Sequence, residues 1–124
     1  SLDFIQWVRE KKLKWIGVDC GSADHPMNTK IRDWEPMEAE KCNQVMLERY
    51  GKSLNELYPW PEHYQAMHFE LFTQPYEAIH AECLGGDIDK LSNKRVVIGC
   101  FPWKFVDGES CISRIVAFDG FDNV

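Results

Sequence analysis

Long apolar runs are missing from this 124-residue sequence. None approaches the ~20 residues needed to cross a bilayer, and the first residues show no basic stretch followed by an apolar one. A membrane span and a visible targeting segment are therefore not expected. Excess positive charge is missing too: the net charge is -6, which argues against nucleic acid or an anionic membrane as partner. A small molecule or a protein is the expected partner. Cysteines number only five. They are odd in count, widely spaced and set mostly in apolar runs, so they read as reduced, buried thiols in a cytoplasmic protein. No CxxC pair or zinc-ribbon spacing occurs, and GxGxxG, P-loop and GxSxG motifs are absent. The common nucleotide-binding, structural-zinc and serine-hydrolase readings fall with them. Internal repeats, low-complexity tracts and linkers are also lacking, so residues 1–124 are expected to form one domain, near the commonest domain size.

What is present reads as an α/β chain: a mixed sheet flanked by helices. Ser1 is placed to cap a helix carrying Phe4, Ile5 and Val8 at helical spacing. "KWIGVDC" reads as a buried strand ending at Asp19, and "GSADHPMNTKIRDWE" as a long loop, a kind of segment that is often functional. From Pro36 to Tyr50, residues Ala39, Cys42, Val45, Met46 and Tyr50 share one helical face, with Gly51 as the stop. Ser53 and Glu56 have capping-box spacing. Strands are expected at Tyr76–Cys83, Lys94–Phe101 and Cys111–Phe118; the middle one is apolar without alternation, as in a strand covered on both faces.

"YEAIHAECLGGD" sets His80 and Glu82 two apart. On a strand they project side by side, so a nitrogen and a carboxylate oxygen reach toward one divalent ion. The plainer alternative is a hydrogen-bonded histidine beside a wetted carboxylate. His63 and His68 lie upstream, and Asp24 and His25 sit in the loop after Asp19, where His25-Pro26 also suits a simple turn. Cys20 and Cys83 border these loops, but a nucleophilic thiol needs an activating base. Trp34, Trp60 and Trp103 each stand near a proline and are candidates to line a substrate pocket, with core filling or loop anchoring as the alternative.

Taken in order, "KWIGVDCGSADHP", "MHFELF", "IHAECLGGDIDKL" and "RVVIGCFPWKFVDGESCISRIVAF" resemble the C-terminal half of the metal-dependent cyclase family, which includes kynurenine formamidases and isatin hydrolases. The resemblance rests on Gly17-Val18-Asp19, Ser22, Asp24, His68 with Leu71 and Phe72, Glu82 followed by Cys83-Leu84, Phe101-Pro102, and Ser113-Arg114. It implies the swivelling β/β/α fold of that family and a zinc or manganese hydrolase acting on an amide, lactam or ester carbonyl through metal-activated water. His68 and Glu82 map onto metal ligands, with His80 as the rival to His68. His80, His25 and Asp24 are the catalytic or supporting candidates. The family's N-terminal HxGTHxDxPxH motif does not occur in this sequence. The resemblance therefore implies hydrolysis only together with a companion polypeptide that carries it, in a homo- or hetero-oligomer. Two other classes stay open: a non-catalytic interaction domain that keeps the fold, and a thiol enzyme using Cys20 or Cys83.

Overall fold

The computed structural model describes residues 2–120, so the cap expected from Ser1 lies outside the described residues. The chain forms two compact units, Ser1–Leu84 and Gly85–Val124. Helices together with short parallel and antiparallel strands place it in the mixed α/β class. The strands pair as two separate two-stranded sheets rather than as one.

In the first unit, helix α1 (Leu2–Glu10) buries Ile5 and Val8, while Phe4 turns outward and stacks on Trp7 at 5.6 Å. Strand β1 (Trp15–Gly17) runs parallel to β2 (Ile79–Ala81), with Ile16 opposite His80. Both strands are shorter than the apolar runs suggest. The Tyr76 hydroxyl donates to the Val8 and Leu13 carbonyls, 3.0 and 2.8 Å away, so the approach to β2 ties down the end of α1 instead of extending the ladder. A Cβ on Gly17 would collide with the Trp15 ring and a Leu84 methyl group, so a side chain there requires both to move. Ile5, Val8, Ile16, Met67 and Leu71 form the core, flanked by Leu13, Val18, Ala23, Ala66, Phe72 and Tyr76. It lies between α1, the parallel strands and the segment leading to His68.

The long loop after β1 is more ordered than its composition suggests. It contains a 3-10 turn, Pro26–Asn28, and a short helix α2 (Ile31–Trp34). Helix α3 (Pro36–Tyr50) matches its expected bounds and ends at Gly51, whose φ of 64° is left-handed. None of its residues is buried, so the apolar face read from the sequence lies open or half-covered. The Ser53/Glu56 capping box is formed at the start of α4 (Leu54–Leu57), with Ser53 Oγ accepting the Glu56 amide at 3.2 Å. A π-helical turn spans His68–Phe72.

The second unit carries a 3-10 turn (Ile88–Leu91) and an antiparallel hairpin of β3 (Val97–Pro102) and β4 (Ser113–Phe118). Among its described residues none is buried. The cover expected on both faces of β3 is absent within this unit, because a two-stranded hairpin supplies no second layer.

Candidate metal centre

The site is assembled by three segments of the first unit. Ser22 Oγ accepts the Asp24 amide at 3.1 Å, the turn for which a serine two residues before an aspartate is suited. That turn buries Asp24 to 4% exposure. Its carboxylate accepts the main-chain N–H groups of Met67 and His68, at 3.0 and 3.1 Å, and lies 2.7 Å from His68 Nδ1. A carboxylate at Nδ1 suits an N–H donor there, which in a neutral ring leaves the lone pair at Nε2. A carboxylate behind one ring nitrogen, with the other left for an ion, is the usual arrangement around metal-ligating histidines.

β2 and the residue directly after it bring His80 and Glu82 to the same place. The rings of His68 and His80 meet edge to face with centroids 5.5 Å apart, and Phe72 stacks on His80 at 4.3 Å. His80 Nδ1 lies 3.5 Å from a Glu82 carboxylate oxygen, while His80 Nε2 is buried without a hydrogen-bond partner. Burial lowers the His80 pKa from its ordinary value, and the nearby His68 adds to this; Glu82 and Asp24 pull the other way. His80 therefore favours its neutral form, the form that ligates metals. One potential donor atom from each of His68, His80 and Glu82 falls within 4.8 Å of the other two.

The donor set suits a divalent ion: two imidazoles and a carboxylate match the ligands of catalytic zinc, and the unpartnered ring nitrogen is of the kind an ion satisfies. The rivalry between His68 and His80 is thus met by a geometry in which both can serve with Glu82.

The other candidates fall elsewhere. His25 caps the 3-10 turn, its Nδ1 accepting the Met27 amide at 3.2 Å, and stacks on Tyr58 at 5.6 Å; burial lowers its pKa. It stands outside the donor cluster, as does His63. Trp60 lines a shallow cleft of about 510 Å³ with Lys30, Asp33, Pro61 and Tyr64. Trp34 is 71% exposed and is not part of that cleft, and Trp103, 66% exposed, belongs to the second unit. No cysteine is buried, contrary to the reading from the apolar runs; Cys20 and Cys83 are exposed and all five are free. The Cys20 thiol donates to the Ser22 carbonyl at 3.1 Å.

Sequence reasoning named Asp24 as a supporting candidate without its partner His68, and missed the packing of Phe72 on His80. Phe72 lies four residues after His68, a helical spacing that places both on one side of a turn and could have flagged it. No helix is long and apolar enough to cross a membrane among the described residues. Comparisons with protein-family models, curated proteins and solved structures find no match to this chain.

Proposed function

We propose that this chain is the C-terminal part, or a subunit, of a metal-dependent hydrolase of the cyclase type, acting on an amide, lactam or ester carbonyl of a small substrate. The observation that carries the reading is the convergence of His68, His80 and Glu82 within 4.8 Å, with Asp24 buried behind His68. These three residues hold the ion, and two nitrogen donors with one carboxylate favour zinc over manganese. When bound, the ion polarises a carbonyl and lowers the pKa of water.

The chain's own residues set the stage. Asp24 fixes the His68 tautomer and orientation, and burial keeps His80 neutral and available as a ligand. Phe72 walls one face of the His80 ring against water. Hydrolysis requires the further ligands of a companion polypeptide with the HxGTHxDxP motif, and the assembly works in the cytoplasm. His25 lies outside the donor set, and Trp60 lines a cleft that shares no residue with it.

The test is zinc titration of the purified chain by calorimetry, followed by elemental analysis after dialysis. One zinc per chain is expected, with binding lost in Glu82→Gln and His80→Ala; full retention in both variants would sink the ligand set. The rival reading, a non-catalytic interaction domain, is favoured by the unburied α3 and hairpin. It predicts no zinc uptake at micromolar concentrations.

A further inference from the structure

The hairpin of the second unit has two edges of different character. The β3–β4 register pairs Phe101 with Arg114 and Gly99 with Val116, and the Trp103 amide donates to the Ile112 carbonyl at 3.3 Å. Alternation along an antiparallel ladder then makes Ile112, Arg114, Val116 and Phe118 the residues whose main chain bonds to β3. Ser113, Ile115 and Ala117 turn their N–H and C=O groups to the opposite edge of β4, and Asp119 follows directly after the strand. The outer edge of β3 is presented by Ile98, Cys100 and Pro102, and the proline has no N–H to offer. β4 has no proline or glycine between Ser113 and Phe118 and one charge, Arg114. Among the described residues no strand pairs with its outer edge. An apolar, unprotected edge of this length is a template for another strand.

We infer that β4 pairs edge to edge, antiparallel, with β4 of a second copy of this chain. The sequence of the edge selects both occupant and register. Outward-facing residues must meet outward-facing residues, and the two-fold register centred on Val116 does this with complementary partners. Ser113, whose hydroxyl also meets Cys100 Sγ at 3.1 Å, falls opposite Asp119 of the second copy, whose carboxylate also takes Lys94 at 2.8 Å; Arg114 falls opposite Phe118, and Ile115 opposite Ala117. No like charges face each other. A shift of one allowed step centres the pair on Ala117 and sets Ile115 against Asp119. A shift the other way centres it on Ile115 and sets Arg114 against Val116. Pairing at Val116 yields a four-stranded antiparallel sheet, β3-β4-β4-β3, from two hairpins that are each only marginally stable alone. The inference uses the second unit alone and does not depend on the metal reading.

Sedimentation velocity of the full chain across a concentration series tests it, with the expected result a concentration-dependent species of twice 14.5 kDa. Ala117→Pro removes an outward N–H from each copy without touching the β3–β4 ladder, and is expected to weaken self-association about tenfold or more. Val116→Cys places two thiols across the axis at about the Cβ separation a disulfide accepts, so mild oxidation should give a cross-linked dimer absent from the unsubstituted chain. A chain that stays monomeric at 100 µM, taken as about the upper end of useful self-association, overturns the inference. So does a dimer that survives Ala117→Pro and gives no cross-link at Val116→Cys. Zinc uptake by Ala117→Pro should equal that of the unsubstituted chain, keeping this outcome separate from the fate of the metal site.

Discussion

The two units use apolar residues in opposite ways. In Ser1–Leu84 a small core of Ile5, Val8, Ile16, Met67 and Leu71 sits beside a polar constellation held by a buried carboxylate. In Gly85–Val124 the apolar residues are as frequent along the strands, yet Phe101 is 56% exposed and Val97 is 44% exposed. A helix, a parallel strand pair and a turn supply layers for one another; a hairpin has neighbours along its ladder and no second layer. The lesson is that burial belongs to the arrangement of elements, and an apolar strand only states the demand.

Substitutions can break or sharpen this contrast. The largest effect is expected from Leu71→Ala in the first unit, where the side chain is fully buried: a loss of about 3 kcal/mol of stability in chemical denaturation. Ile98→Ala on the hairpin, at 44% exposure, should cost less than about 1 kcal/mol. Equal effects at the two positions would erase the contrast. Next is Asp24→Ala, which leaves the Met67 and His68 amides and His68 Nδ1 without their acceptor. A destabilisation of about 2 kcal/mol is expected, together with zinc affinity about 10–100-fold weaker in calorimetry. Asp24→Asn should recover part of the stability and less of the affinity, since an amide oxygen still accepts but carries no charge.

The smallest effect is on pH dependence. His25 and His80 have pKa values lowered by burial from the ordinary 6.5. The unfolded chain therefore takes up protons first as pH falls. Stability of the first unit is full above 6.5 and declines as pH drops below it toward the lowered folded values. Thermal unfolding between pH 7.5 and 5 should show this fall, reduced in His25→Gln; an increase on acidification would contradict it.

Local features were legible in the sequence. The α3 bounds follow from Pro36 and Gly51, and the α4 start follows from Ser53 and Glu56, because caps and stops are settled within a few residues. The nearness of His80 to Glu82 was also legible from their spacing of two, although β2 ends at Ala81 and Glu82 lies just beyond it. What could not be read was set at a distance. Asp24 and His68 are 44 residues apart, and only the folded core brings the turn after β1 against the segment carrying His68. The α/β class was readable from the order of elements, whereas the separation into two sheets was not, since strand runs do not state their partners. Burial of β3 and the cysteines was over-read, because an apolar pattern carries no information on what covers it.

Asp24 holds two main-chain amides and a ring nitrogen with one carboxylate. The loop after β1 and the turn carrying His68 therefore cannot separate without releasing all three contacts together. Amide exchange at Met67 and His68 should slow in concert when a cation occupies the cluster, because ligation of the ring narrows the opening fluctuations of the backbone to which the same carboxylate ties it. Binding would then be written in the exchange rates of groups that never touch the ion.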